Sequence, residues 1–81
     1  MRLHYTERFR RSYRSAPVGI QKAFNRRVVL LVNNLRHPSL RAKKYNEADD
    51  IWQARVTRDW RFYFRIMGDV YEIIDMISHP K

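Results

Sequence analysis

The segment Trp60–Ile66, with the sequence WRFYFRI, alternates large apolar side chains with arginine and tyrosine. Strict alternation is typical of a half-buried strand, in which one face packs on a core and the other faces solvent. On the solvent face, Arg61, Tyr63 and Arg65 follow one another at intervals of about 7 Å, which is roughly the phosphate repeat of a nucleic acid strand. The segment therefore predicts a sheet with one dry face and one face suited to a polyanion.

Length and composition predict one small folded domain. The chain has 81 residues, of which 44% are hydrophobic and 14% aromatic, enough for a single core. The lack of cysteine excludes disulfides, thiolate metal sites and a catalytic thiol. The longest apolar run, Val28–Val32, is too short to span a bilayer, and no secretory signal is apparent. We expect a cytoplasmic protein with no membrane association.

The charge balance is strongly basic. There are 17 lysines and arginines against 8 acidic residues, for a net charge of +9. Such a charge favours an acidic partner, with nucleic acid first, an acidic protein second and an anionic membrane third. Most of the cations are arginines, and the guanidinium fork matches phosphate geometry better than an ammonium does. Nucleic acid is therefore the favoured partner.

Two helices are predicted after a short strand at Arg2–Tyr5. Thr6 is a suitable N-cap for the first helix. Pro17 ends that helix and suits the beginning of the second. The second helix is predicted over Val18–Leu35, because apolar residues recur there at helical spacing. They are Ile20, Phe24, Val28, Leu31 and Leu35.

The rest of the chain predicts strands. The polar stretch Ser39–Asp50 contains an irregular edge strand at Lys43–Tyr45. A three-stranded meander follows, with turns at Thr57–Asp59 and Gly68–Asp69. Apolar residues occupy both phases of the last strand, Val70–Ser78, which predicts a central strand covered on both sides. The order β-α-α-β-β-β predicts an α+β domain, with two N-terminal helices packed on one face of an antiparallel sheet.

The candidate catalytic residues lie on the outward face of the meander. No phosphate-binding glycine loop, zinc-type histidine pair or Ser-His-Asp arrangement can be drawn, so neither a metal nor a cofactor is predicted. Arg55 and Arg61 should lie close together on adjacent strands. Cleavage of RNA through its 2′-hydroxyl needs a base, an acid and cations around the phosphate. His79 has an ordinary pKa near neutrality and suits proton transfer, although it could equally be idle. Asp59 could take part in the same proton transfer, or it could only cap the backbone of its turn.

Five further residues are candidate RNA contacts, and each has an ordinary structural alternative. Tyr63 could stack on a base or simply cover the sheet. The four cations could bind phosphate or remain solvated surface charges. They are Lys43, Lys44, Arg65 and Lys81.

The segment Ile51–Phe64, IWQARVTRDWRFYF, resembles the pattern W-x-x-R-V/I-x-x-x-aromatic-R-hydrophobic-x-Y/F of the RelE/ParE superfamily of bacterial toxins. The hydrophobic last strand followed by His79 is similar to the end of many members, and the predicted element order fits their fold. The resemblance covers nearly the whole chain. It implies the toxin of a type II toxin–antitoxin system, neutralised by a cognate antitoxin protein.

The resemblance also implies roles for individual residues. RelE-like branches cleave mRNA on the translating ribosome by 2′-hydroxyl attack, giving a 2′,3′-cyclic phosphate without a metal. Arg61 matches the arginine used against the scissile phosphate, and Arg55 lies where some members carry a basic or histidine side chain. His79 matches a near-terminal general acid or base. Asp59 matches an active-site aspartate of one branch, and Lys81 corresponds to a terminal basic residue.

Two departures leave alternatives open. Pro80 stands where some branches have an aromatic residue, and Glu47 is only a loose match for the glutamate base of another branch. The general base is therefore not assigned. The alternative function is that of ParE-like members, which inhibit DNA gyrase without nuclease activity and would leave His79 idle. A decayed toxin that only binds its antitoxin is the third interpretation.

Overall fold

Residues 1–78, which the computed structural model describes, form two helices and five strands. The predicted order is confirmed, and the Lys43 region forms the predicted irregular edge strand, whose register shifts between Lys44 and Asn46. The elements are β1 (Arg2–Tyr5), α1 (Glu7–Ser15), α2 (Val18–Asn33), β2 (Lys43–Asn46), β3 (Ile51–Thr57), β4 (Trp60–Met67) and β5 (Val70–Ser78).

The strands form one sheet in the order β1-β5-β4-β3-β2. β2, β3, β4 and β5 pair antiparallel in succession, whereas β1 pairs parallel with β5. The sheet is therefore mixed rather than antiparallel throughout, because the chain leaves β1 through both helices and re-enters the sheet at the opposite edge. α1 packs mainly against β5 and α2 against β3.

Capping groups set the ends of the helices. The Thr6 hydroxyl accepts a hydrogen bond from the Phe9 N–H at 3.1 Å, which confirms the predicted N-cap of α1. α2 ends at Asn33 rather than at the predicted Leu35. The reason is local, since the Asn34 side chain accepts a hydrogen bond from the Arg36 N–H at 3.0 Å and turns the chain away.

The core lies between the helices and one face of the sheet. Phe24 of α2 meets Phe62 of β4 edge-on, with ring centroids 5.3 Å apart. Burial of each such side chain stabilises the fold by about 1.5–3 kcal/mol. The fully buried side chains are Phe24, Leu31, Leu40, Val56, Phe62, Phe64, Ile73 and Met76.

A β-bulge explains the apolar residues on both phases of β5. Tyr63 pairs with Asp75 and the next residue, Phe64, pairs with Ile73, so Ile74 is an extra residue in the ladder. A bulge shifts the alternation by one residue. Ile73 before it and Met76 after it therefore both face the core. The prediction that β5 is central is confirmed. Its outer side is covered in part, because Asp75 is 6% exposed beneath Arg8 and Ser12 of α1, whereas Ile77 is 44% exposed.

The sheet face opposite the helices is called the outer face. It carries side chains that alternate with the core residues along β2, β3, β4 and β5. Ile77 is 44% exposed there, whereas Asp75, which contacts Arg8 and Ser12 of α1, is buried. Neither helix within residues 1–78 is long and apolar enough to cross a membrane. The outer-face residues include Lys43, Tyr45, Ile51, Gln53, Arg55, Arg61, Tyr63, Arg65, Ile74, Asp75 and Ile77.

Candidate functional site

A cleft of about 170 Å³ on the outer face is lined by four cations and one amide. Among residues 1–78, no carboxylate lines it. Within residues 1–78, the ion pairs of the protein involve other cations, and none involves a side chain of this cleft. The arrangement suits an anion with several oxygens, such as a phosphate diester. This site is called the basic cleft, and its residues are Arg41, Lys43, Gln53, Arg55 and Arg61.

Arg55 and Arg61 stand directly opposite each other on β3 and β4. The predicted proximity of the two residues is therefore confirmed. Desolvation, and then the charges of Arg41 and Arg61, lower the pKa of Arg55 from its ordinary value. The guanidinium nevertheless stays protonated at neutral pH. Like charges held together without a counter-charge oppose folding, and such clusters are concentrated at binding sites.

Arg41 is the cation of the basic cleft that the sequence did not predict as a site residue. The preceding residue, Leu40, is fully buried, and its carbonyl accepts a hydrogen bond from the Arg55 N–H at 2.7 Å. Arg41 itself has φ 47°, in the left-handed region that non-glycine residues seldom adopt. An anchored Leu40 and a strained Arg41 together place the guanidinium in the cleft. The sequence feature that could have indicated this position is Leu40, a single leucine in the polar stretch Ser39–Asp50.

Arg61 has a structural role as well as its place in the cleft. Its Nη1 donates hydrogen bonds to the carbonyls of Thr57, Arg58 and Trp60 at 2.9, 2.9 and 3.1 Å. These bonds tie the side chain to the β3–β4 turn. Its Nε and Nη2 donate none to residues 1–78, so these donors are available to a ligand of the cleft that Arg61 lines.

We expect Arg61→Ala to lower the free energy of unfolding by about 1–3 kcal/mol, because the turn carbonyls lose a charged donor. Urea unfolding followed by circular dichroism measures this change. Arg58→Ala is the matched control, since it removes an exposed arginine of the same turn. A loss with Arg61→Ala no larger than that with Arg58→Ala would contradict the capping role.

The two neighbouring lysines of β2 point to opposite faces of the sheet. Lys43 lines the basic cleft. Lys44 lies 5.2 Å from the centroid of the Trp52 ring and forms an ion pair with Asp50. The hydrogen bond to Asp50 is the main cause of its raised pKa. The structure therefore brings Lys43, but not Lys44, to the predicted site.

The other predicted side chains of the described region lie around the cleft rather than in it. Asp59 is exposed in the β3–β4 turn, where its N–H donates to the Thr57 hydroxyl at 3.4 Å. Arg65 forms an ion pair with Glu72 at 3.4 Å, so its charge is already matched. Tyr63 lies beside the cleft. Desolvation, and then Tyr45, raise its pKa, which keeps the phenol neutral and able to donate a hydrogen bond.

The predicted proton-transfer residue His79 and the predicted contact Lys81 lie outside the described residues. The last described residue, Ser78, pairs with Trp60, and Ile77 pairs with Arg61. The final strand is therefore in register with the cleft up to that point. Within residues 1–78, no group of three or more histidine, aspartate or glutamate side chains is arranged to hold a metal ion.

Solved structures of bacterial toxins share this architecture. A YoeB/ParE toxin from Agrobacterium tumefaciens superposes with a TM-score of 0.82 at 17% identity, covering 99% of this chain and 100% of that one. The chain has the RelE-like toxin fold. YafQ from E. coli strain BL21(DE3) gives a TM-score of 0.80 at 17% identity over 96% and 93% of the two chains. The isolated E. coli RelE toxin gives 0.78 at 14% identity over 99% and 85%.

Other structures with the RelE-like fold that match this chain are complexes. They include the intact E. coli RelBE toxin–antitoxin complex and the E. coli DinJ–YafQ toxin–antitoxin complex. At 13% identity in both cases, the likeness concerns the fold. No protein-family model and no curated protein sequence matches the chain.

Proposed function

We propose that this chain is the toxin of a type II toxin–antitoxin system and cleaves mRNA on the ribosome in the cytoplasm. The observation that carries the proposal is the basic cleft, in which Arg41, Lys43, Arg55 and Arg61 converge with no carboxylate from the described part of the chain. The cleft lies on the open face of a RelE-like fold. A concentration of unmatched guanidinium groups suits a phosphate whose negative charge increases during the reaction.

The reaction requires the 2′-hydroxyl of one nucleotide to attack the adjacent phosphorus. The bond from phosphorus to the 5′-oxygen of the next nucleotide breaks, which leaves a 2′,3′-cyclic phosphate and a 5′-hydroxyl. Arg41 and Arg55 would donate hydrogen bonds to the non-bridging oxygens, and Arg61 would add the donors that the turn leaves available. Each preorganised donor of this kind contributes about 10²–10³ in rate.

Proton transfer needs a group that titrates near neutral pH, which an arginine does not. We propose His79 as the general acid or base, with Asp59 of the neighbouring turn as the second candidate. His79 follows Ser78, whose strand is in register with Trp60 and Arg61 through its last two residues. General acid–base catalysis of this kind contributes about 10²–10⁴ in rate.

A cognate antitoxin is the proposed protein partner. The toxin–antitoxin complexes among the structures with this fold support that assignment. The net charge of +9 would attract an acidic antitoxin segment by the same long-range field that steers the protein to ribosomal RNA and mRNA.

Inhibition of DNA gyrase is the second candidate function. It is favoured by one observation, namely that no histidine or carboxylate lines the basic cleft within the described residues. An inhibitor that only binds would need no proton-transfer group. In that case the cleft would hold a phosphate of DNA or an acidic surface of gyrase.

Mapping of 5′ ends in a cell-free translation reaction tests the two functions. The wild-type protein should cut a defined mRNA at codon-related positions only while the mRNA is translated. His79→Ala should slow this cleavage by about 100-fold or more. Arg65→Ala, which removes an arginine already paired with Glu72, is the control and should cut at the wild-type rate. Intact mRNA together with gyrase-dependent DNA breaks would contradict the proposed nuclease function.

A further inference from the structure

A second concavity, of about 170 Å³, adjoins the basic cleft on the outer face. Tyr45 and Tyr63 form its aromatic wall, and Ile51, Ile74 and Ile77 form its apolar floor. An ion pair between Arg8 and Asp75 closes one end. This concavity is called the aromatic pocket, and neither the core nor the proposed catalytic chemistry accounts for it.

Tyr45 is the unusual member of the pocket. It is 61% exposed, although a large aromatic side chain is normally buried or engaged. Its ring meets Tyr63 at an interplanar angle of 66°, with centroids 5.0 Å apart. This edge-on geometry fixes the ring of Tyr45 while most of its surface stays accessible. An aromatic ring held in place and open to solvent is suited to stacking.

The pairing of the strands places the pocket next to the cleft. Tyr63 pairs with Gln53, and Ile77 pairs with Arg61, so each pair has one residue in the pocket and one in the cleft. Lys43 and Tyr45 are two residues apart on β2, which is about 7 Å along a strand. That distance is roughly one nucleotide step along a nucleic acid backbone.

The polar end of the pocket offers hydrogen bonds to a base. The two oxygens of Asp75 accept from Ser12, Met76 and Arg8 at 2.6, 2.8 and 3.0 Å, so the carboxylate is matched. Arg8 uses its Nε for this ion pair, and its side chain is 71% exposed. The remaining guanidinium nitrogens of Arg8 can donate to acceptors on the edge of a stacked base.

We propose that the aromatic pocket binds one nucleobase of single-stranded RNA, from the nucleotide next to the phosphate held in the basic cleft, and that Tyr45 is the stacking residue. The inference rests on the RNA-binding part of the proposed function. RNA fits better than a protein segment, because the pocket adjoins a cleft that the described residues line with four cations and no carboxylate. A chain that alternates phosphates and aromatic bases satisfies both sites at once.

The test uses a short single-stranded RNA that cannot be cleaved. A hexanucleotide carries 2′-O-methyl groups throughout and 2-aminopurine beside its central phosphate, and a second probe is abasic at that position. Stacking on Tyr45 should quench the fluorescence of 2-aminopurine in low-salt buffer. Tyr45→Ala should weaken binding of the first probe by about 10-fold, because stacking on an aromatic side chain contributes about this much or more per base. Tyr45→Phe should bind as the wild type does.

Three comparisons separate the possible failures. Met67→Ala, which shortens an exposed side chain at the far end of β4, should change nothing. The abasic probe should bind wild type and Tyr45→Ala equally. If the first probe binds in a manner that depends on Arg55 but not on Tyr45, the stacking proposal fails while the proposed RNA contact stands. If neither probe binds the wild-type protein, both fail and a protein segment becomes the occupant of the pocket.

Discussion

Replacing Arg55 by alanine should reduce the rate of RNA cleavage by about 100- to 1000-fold and leave the protein at least as stable as the wild type. The loss of rate follows from the removal of one preorganised donor to the phosphate. The preserved stability follows from the environment of Arg55. Desolvation and then Arg41 and Arg61 disfavour its charged form, so the folded state loses an unfavourable interaction when the charge is removed.

Three measurements on purified Arg55→Ala decide this prediction. Single-turnover cleavage on programmed ribosomes gives the rate, and thermal unfolding gives the stability. Inorganic phosphate should raise the melting temperature of the wild type more than that of the variant, because a ligand of the folded state stabilises it. Arg55→Lys should recover only part of the rate, since an ammonium lacks the guanidinium fork. If Arg55→Ala cleaves RNA at the wild-type rate, the basic cleft takes no part in the reaction.

The sheet and its solvent-facing arginines were predictable because they depend on local patterns. Alternation in Trp60–Ile66 identified β4 and its two faces, and a short turn placed Arg55 beside Arg61. Thr6 marked the start of α1 because an N-cap depends on a side chain and a backbone N–H three residues apart. In each case the deciding contact lies within one element or one hairpin.

The features that were missed depend on contacts between distant segments. The bulge at Ile74 appears only when β5 is paired with β4, so the alternation in sequence suggested two covered faces. Arg41 reaches the cleft because Leu40 is anchored on β3. Lys44 is the exception, because strand alternation alone points it to the face opposite Lys43, where it contacts Trp52 and Asp50.

Replacing Leu40 by alanine should reduce both stability and cleavage, because Leu40 anchors the segment that carries Arg41. The side chain is fully buried, and truncation of a buried leucine costs about 2–5 kcal/mol. A domain of this size has a total stability of roughly 4–12 kcal/mol. The melting temperature should fall by about 10 °C or more. Loosening of this segment would also move Arg41 out of the cleft.

Leu31→Ala is the matched control for Leu40→Ala. Leu31 is equally buried but lies on α2, so its truncation should cost a similar free energy of unfolding without disturbing the cleft. Cleavage is compared at a temperature at which circular dichroism shows both variants to be folded. There Leu31→Ala should cut mRNA at nearly the wild-type rate, and Leu40→Ala should be at least 10-fold slower. Equal rates for the two folded variants would mean that Arg41 is held in place without Leu40, or that Arg41 is not needed.

Arg41→Ala separates these two cases. If Arg41 contacts the phosphate, Arg41→Ala should be as slow as Arg55→Ala, and if Arg41 is not needed, it should cleave at the wild-type rate.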